Sequence, residues 1–423
     1  SRGLGDVYKR QVYDKLMKLY SEITKLIGSG VIVSAYAGCQ GGISEAVSKM
    51  AFGNKLGVSF EESITKDMLF QIEYGNIIAE VPADKISMIP CEYEKLGTVT
   101  EKASFEVAGA SIDLEEALAA WTGTLEKVFP TRSGVEDKKI ETGLFDTKDI
   151  YVCKHKVAKP KVFIPVFPGT NCEYDTARAF EKAGGDPEIM VVKNLSAAAI
   201  EESVEEAARI IKQSQIIMIP GGFSGGDEPE GSGKFITAFF RNPKVKDAVH
   251  ELLKKRDGLM LGICNGFQAL IKLGLVPYGE ITDMTQDSPT LTFNTIARHQ
   301  SMMVNTRIAS NKSPWLADSR VGDIHTIPIS HGEGRFVAPQ SLIVKLANNG
   351  QIATQYVDSD GRPSMDIRYN PNTSMEAIEG ITSPDGRIFG KMGHSERTGV
   401  NVCKNVSGNK DQKIFENGVR YFK

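Results

Sequence analysis

The chain has 423 residues, 41% hydrophobic and 24% charged, which excludes a disordered or fibrous protein and, at roughly 100–200 residues per domain, suggests two or three domains, with two as the first estimate. Fifty basic against fifty-three acidic residues leave a formal charge of -3, so no net field recruits nucleic acid or an anionic membrane, and small molecules are the expected partners. No run approaches ~18 apolar residues and the N-terminus lacks a charged-then-apolar signal pattern, which predicts a cytoplasmic protein.

The first elements predict a partial α+β domain over residues 12–130. Residues 1–11 show no apolar periodicity connecting them to the segment beyond and read as a foreign leader. From Val12 onward Leu16, Leu19, Ile23 and Leu26 fall at helical spacing, with Gly28 placed as a C-cap. The turn Gly38-Cys39-Gln40-Gly41-Gly42 opens a second helix through Ile43, Ala46, Val47 and Met50. Residues 77–81 and 97–99 read as strands, and residues 114–128 as a helix stopped by Pro130. Residues 131–160, charged and without apolar periodicity, form a linker.

Residues 161–423 change character. Apolar runs at 162–167, 189–192, 216–219 and 259–263 are separated by helical patterns such as 175–183 and 196–213, the latter with Ser196 as N-cap. This predicts an α/β domain built on an open parallel sheet with helices on both faces, flavodoxin-like in plan. The loops after Phe167, Ile219 and Ile263 should converge at the carboxyl ends of its strands, where such sheets bind ligands.

One of those loops is Gly262-Ile263-Cys264-Asn265-Gly266, a nucleophile elbow in which Cys264 stands between a strand and a helix from about 267 to 273. The flanking small residues suit a tight, strained turn, and a helix N-terminus favours the nucleophilic thiolate. Another loop, Pro220-Gly221-Gly222-Phe223-Ser224-Gly225-Gly226, offers backbone N–H groups for an oxyanion, beside the N–H of Asn265. For the base, His394 and Glu396 share a face of an extended segment, but His331 also has a Glu two residues on, and His299 lies near Arg298. Sequence geometry leaves the choice among these histidines open. The six cysteines include no Cys-x-x-Cys pair and the six histidines no His-Glu-x-x-His spacing, so reduced thiols and no protein-built metal site are expected.

Taken together these residues resemble the class I glutamine amidotransferases, and within them the glutaminase domains of the phosphoribosylformylglycinamidine synthase family. The resemblance covers roughly residues 160–423. It is carried by Pro168-Gly169-Thr170-Asn171-Cys172-Glu173, Pro220 to Asp227, Leu261 to Gln268, Tyr369-Asn370-Pro371-Asn372 and Gly393-His394-Ser395-Glu396-Arg397. It implies Cys264 as nucleophile, His394 as general base and acid, and Glu396 as the residue orienting His394. It also implies Gly222, Phe223 and Asn265 around the oxyanion, and Gln268 near the glutamine substrate. Many relatives have Pro where Ser395 stands, a change that leaves the base and its partner in place.

Residues 12–130, with Ala51-Phe52-Gly53-Asn54, look like the end of the synthetase portion of the large single-chain form, which makes the chain look like a C-terminal fragment. The family's Asp-x-Ser-Asp-Gly-Gly nucleotide turn is here Ala37-Gly38-Cys39-Gln40-Gly41-Gly42, without its two acidic positions. The resemblance therefore implies no cofactor for this part, with ATP and Mg2+ in the full-length enzyme. The implied activity is glutamine hydrolysis that supplies ammonia for ATP-dependent amidation of formylglycinamide ribonucleotide in purine biosynthesis. The implied partners are glutamine and upstream synthetase domains of the same polypeptide. Two alternatives stay open: a cysteine hydrolase of another substrate on the same elbow, or a catalytically silent docking module.

Overall fold

The computed structural model describes residues 13–72, 74–225 and 233–423. The predicted leader at 1–11 lies outside the described residues, as do Gly226 and Asp227 of the glycine-rich loop. The chain divides into two compact units, one ending at Phe129 and one from Pro130 to Lys423.

In the first unit a helix spans Tyr13–Gly28. The left-handed residue that turns the chain is Gly30 (φ 70°), not Gly28. The N–H groups of Ser29 and Val31 still reach the carbonyls of Lys25 and Leu26, so the helix end is satisfied two residues later than the sequence suggests. The helix Gly42–Asn54 and a four-stranded sheet that includes Gly57–Phe60 and Ser104–Val107 bury Ile43, Val47, Ile64, Phe105 and Leu114 in a small core. The helix expected over 114–128 stops at Gly123. Asp113 caps its start by accepting from the Glu116 N–H at 3.0 Å, but Leu125, Val128 and Phe129 are exposed. No burial carries the helix beyond the glycine.

The second unit opens with the α/β alternation that the apolar runs predict. Strands β1 (Lys161–Val166), β2 (Asp186–Val191), β3 (Ile216–Ile219) and β4 (Leu259–Ile263) are joined by helices that include α1 (Glu173–Ala183), α2 (Ala197–Gln213) and α3 (Pro243–Lys255). Ser196 caps α2 by accepting from the Ala199 N–H at 3.2 Å. Every residue of β3 and β4 is buried, which is why these strands read as unbroken apolar runs. After β4 come α4 (Asn265–Lys272), β5 (Gln300–Ile308), β6 (Ile324–His331), β7 (Ile352–Val357), β8 (Ile378–Thr382), β9 (Ile388–Lys391) and α5 (Ile414–Arg420).

Among the described residues the sheet has nine strands in the order β6-β5-β7-β8-β9-β4-β3-β1-β2. The part from β2 to β9 is parallel. The remaining pairs, β9 with β8 through β5 with β6, are antiparallel, so the sheet is mixed and the all-parallel expectation holds for one half. The connection between β8 and β9 carries Ser383-Pro384-Asp385-Gly386, with Gly386 at φ 76°. So short a turn can join antiparallel neighbours, whereas a parallel pair needs a crossover of a dozen or more residues.

The chain runs from β1 outward to β2, then crosses back to β3 and β4 on the other side. Right-handed crossovers place α1 on one face and α2 and α3 on the other. The reversal opens a crevice at the carboxyl ends of β1 and β3. Beside it Phe267 of α4 is fully buried and lies so close over Gly390 of β9 that an added Cβ would meet its ring. Phe267→Ala is expected to cost about 3–5 kcal/mol, seen as a fall of the thermal midpoint by roughly 6 °C or more; an unchanged midpoint would mean that α4 is not held by this seat.

Candidate active site

Cys264 sits between β4 and α4 at φ 53° and ψ −106°, a conformation that costs a non-glycine residue energy and persists where the surroundings dictate it. Its N–H donates to the Lys391 carbonyl at 2.8 Å, and its carbonyl accepts from the Gln268 N–H at 3.0 Å. The two glycines of the elbow are demanded by contact. A Cβ at Gly262 would lie 2.6 Å from Leu270 Cδ1 and 2.7 Å from the Gly266 carbonyl, while one at Gly266 would run into the Ile219 carbonyl. The side chain of Cys264 is 5% exposed, and Sγ donates to the Ser330 carbonyl at 3.6 Å.

His394 reaches the same place from the segment beyond β9. Its N–H is held by the Pro328 carbonyl of β6 at 2.9 Å, and its Nδ1 lies 2.6 Å from Glu396 Oε1. A Cβ built on Gly221 would stand 2.7 Å from His394 Cε1 and 3.4 Å from Cys264 Cβ. Imidazole and thiol side chain thus converge on one point, kept open by the missing side chain of residue 221. Both His394 and Glu396 are buried, and His394 Nε2 and Glu396 Oε2 have no hydrogen-bond partner.

The electrostatics pair these two groups. Burial disfavours the imidazolium, but the Glu396 carboxylate, joined by Cys172 and Cys264, outweighs it and holds the His394 pKa well above the usual histidine value. Burial pushes the Glu396 carboxyl up, and the adjoining imidazole draws it below the ordinary range. The carboxylate holds the Nδ1 side of the ring and leaves Nε2 as the unengaged nitrogen. His331, the rival base, is fully buried, and desolvation pushes its pKa down to about 3. Neither of its ring nitrogens has a partner, so it lacks the carboxylate that a base needs as orienter. His299 Nε2 lies 2.9 Å from the Ser330 hydroxyl.

The residues expected around an oxyanion fare differently. Gly222 lies at φ 147°, and a Cβ there would sit 2.6 Å from the Gly169 carbonyl and 2.7 Å from Thr170 Cα, so the loops after β1 and β3 touch through backbone. The Phe223 N–H donates to the Gly169 carbonyl at 2.8 Å, which withdraws it as an oxyanion donor in this state. Asn265 is the first residue of α4, where N–H groups have no intrahelical acceptor. Its side-chain Oδ1 accepts from the Ser224 N–H at 3.2 Å, and its Nδ2 donates to Gln268 Oε1 at 2.9 Å. Gln268 Nε2 in turn donates to the Glu333 carbonyl. Its amide is thus engaged within the wall of the site.

Two residues at the site carry no role that the sequence predicts. Cys172 Sγ lies 3.8 Å from His394 Nδ1 and accepts from Arg397 Nη2 at 3.1 Å. Arg397 stands three residues beyond His394, a spacing that could have drawn attention to it. Ligand atoms of Cys172, His394 and Glu396 lie within 4.8 Å of one another, a chemistry that borderline metals accept. His394 Nδ1 already contacts both Glu396 Oε1 and Cys172 Sγ, and the Arg397 cation beside the sulfur opposes a second cation.

A buried thiol on a strained elbow stands here near an imidazole and its carboxylate, the residue types that a nucleophile, an acid–base group and its orienter require. The family model described as a CobB/CobQ-like glutamine amidotransferase domain matches residues 159–422. The chain belongs to the CobB/CobQ-like glutamine amidotransferase family. A relative named phosphoribosylformylglycinamidine synthase subunit PurQ, from Methanococcus maripaludis strain S2, is 34% identical over 281 residues, covering 62% of this chain and 97% of its own length. The subunit of the same name from Aquifex aeolicus is 29% identical over 248 residues, covering 59% and 95%. A solved structure described as PurLQS from Thermotoga maritima matches at 25% identity with a TM-score of 0.45, covering 63% of this chain and 100% of that one. By its 34% identity over 97% of the Methanococcus subunit, the amidotransferase domain of this enzyme is PurQ-like. No helix among its described residues is long and apolar enough to cross a membrane.

Proposed function

We propose that the amidotransferase domain hydrolyses glutamine through Cys264, His394 and Glu396 and delivers the ammonia for amidation of formylglycinamide ribonucleotide. The observation that carries this reading is the 2.6 Å contact between His394 Nδ1 and Glu396 Oε1 beside the elbow, where the His394 ring and Cys264 Cβ both border Gly221. The substrate assignment rests on the name that the 34% identical relative bears.

In this mechanism Cys264 gives its thiol proton to His394, and the thiolate Sγ attacks the side-chain carboxamide carbon of glutamine. The carbonyl oxygen becomes an oxyanion that the N–H groups of Gly222 and Asn265 receive. His394 gives its proton to the departing nitrogen, the C–N bond breaks and ammonia leaves, with a glutamyl thioester remaining on Cys264. His394, now neutral, takes a proton from water, which opens the thioester to glutamate and restores the thiol. Ammonia must stay unprotonated to serve as a nucleophile, so its transfer demands a water-poor route.

The amide-activating step belongs to a synthetase site elsewhere. In the turn at 38–42 the Glu45 carboxylate accepts from the Cys39 thiol at 2.8 Å and the Gly41 N–H at 3.1 Å, and pairs with Lys49 at 2.6 Å. The helix N-terminus that could cradle a phosphate is filled by the protein's own carboxylate. ATP does not fit this turn. The α+β fold of residues 13–129 supports the finer reading that they belong to the synthetase portion of a large single-chain form.

The experiment is steady-state release of glutamate from glutamine by the full chain, expected to be slow without its synthetase site because such domains are completed by closure of a partner. Release of other amides or esters at higher kcat/KM would reject glutamine as the substrate. Gly222→Ala should lower kcat at least tenfold while Cys264 remains reactive, since a Cβ there displaces the donor loop. Full turnover by that variant would remove Gly222 from the oxyanion site.

A further inference from the structure

We infer that the buried pair Lys391 and Glu379 is a positioning device that holds the backbone on both sides of His394. The inference rests on the proposed role of His394.

Both side chains are fully buried, with Lys391 Nζ 3.3 Å from Glu379 Oε1. Lys391 ends β9 and Glu379 lies on β8, so each is anchored in the sheet. Lys391 Nζ donates to the Gly393 carbonyl at 2.7 Å and to the Ser395 hydroxyl at 3.0 Å. Glu379 Oε1 accepts from the Gly393 N–H at 2.6 Å, and its Oε2 accepts from the Thr354 hydroxyl. The Ser395 hydroxyl itself donates to Gln412 Oε1 at 2.5 Å. The three donors of the ammonium are therefore taken up by the carboxylate and by the two residues that flank His394.

These flanking positions need such support. Glycine has the widest backbone freedom of any residue, and nothing in Ser395 restricts the chain as a ring would. A Cβ at Gly393 would come 3.0 Å from Glu379 Oε1 and would meet Ile327 Cδ1, so the glycine is what lets the carboxylate reach the main chain. The same absence of a side chain that admits the support makes the support necessary. A buried ion pair is a poor source of stability, because desolvation cancels its attraction and apolar residues fill the space as well. Its distinctive yield here is geometric: it satisfies the Gly393 N–H and carbonyl together and fixes the direction from which His394 enters the site. A displacement near 1 Å at a catalytic group can cost about 10²-fold in rate.

The test compares Lys391→Met and the double variant Lys391→Met/Glu379→Gln with wild type in the full chain. Glutamine hydrolysis is expressed per site titrated by a glutamine-analogue electrophile at Cys264. Lys391→Met leaves an unpaired buried carboxylate and should lower the thermal midpoint. The double variant removes both charges and keeps an acceptor for the Gly393 N–H, so its midpoint should recover. In both, kcat per titrated site should stay roughly tenfold or more below wild type with KM within about twofold. Recovery of kcat together with the midpoint would overturn the positioning role and leave a merely structural pair. His394→Ala is the control: its activity would refute the proposed triad itself, whereas an inactive His394→Ala beside a fast double variant refutes the positioning role alone.

Discussion

Cys264→Ala is expected to abolish glutamine hydrolysis, by about 10⁴-fold or more, and to prevent labelling by a glutamine-analogue electrophile. The substitution removes the atom that forms the thioester, and no neighbouring group can replace it in place. Cys172, the nearest other thiol, has its sulfur held by Arg397 Nη2 at 3.1 Å and stands on the loop after β1, not on the elbow. Alanine at φ 53° is strained no more than cysteine, and the thiol it replaces donates only weakly to the Ser330 carbonyl, at 3.6 Å, so the thermal midpoint should move little. Residual turnover above a few per cent of wild type, or stoichiometric labelling of the variant, would transfer the nucleophile to another residue and undo the proposed mechanism.

Glu396→Gln should be nearly as damaging to turnover, about 10³–10⁴-fold in kcat, because an amide can present its NH2 to Nδ1 and favour the wrong imidazole tautomer. Its pH behaviour separates this from a general loss of structure. The carboxylate raises the His394 pKa against the opposing effect of burial, so the variant should lose its protonated imidazole at lower pH, and the alkaline limb of kcat/KM should shift downward. The stability effect has two edges. His394, raised from 6.5, contributes stability that is full below pH 6.5 and is lost as pH rises through its higher folded value. Glu396, lowered from 4.5, contributes stability that is present above pH 4.5 and is lost as pH falls through its lower folded value. The gap in thermal midpoint between wild type and Glu396→Gln should therefore be widest between pH 4.5 and 6.5. A gap that grows steadily as pH rises above that window would contradict the assignment of both groups.

Local patterns made much of this molecule legible. Apolar runs flanked by helical periodicity marked β1 to β4 and their helices, because a buried parallel strand must be apolar on both faces. Ser196 marked the start of α2 because a hydroxyl there satisfies a free N–H. The elbow at 262–266 was readable because its small residues answer contacts with Leu270 and Ile219 that any such turn makes. The His394 and Glu396 spacing permitted their contact but permitted the same for His331 and Glu333. The antiparallel half of the sheet carried no comparable signal, since strands with polar and apolar residues mixed along them do not name their neighbours. A lysine inside the run Ile388-Phe389-Gly390-Lys391-Met392 was the visible sign of the buried pair, though its partner on β8 could not be inferred from it.

By itself the sequence determined the α/β plan of residues 161–423 and the thiol at a strand-to-helix turn, because strand burial and turn packing act between residues close in the chain. The tertiary structure decided which histidine lies beside Cys264 with a carboxylate on its ring, that the Phe223 N–H is already engaged, and that Lys391 and Glu379 bond to the residues flanking His394. Those outcomes depend on which strands become neighbours across long separations in the chain. That choice is made by the summed burial of the whole sheet, and no short stretch of sequence encodes it.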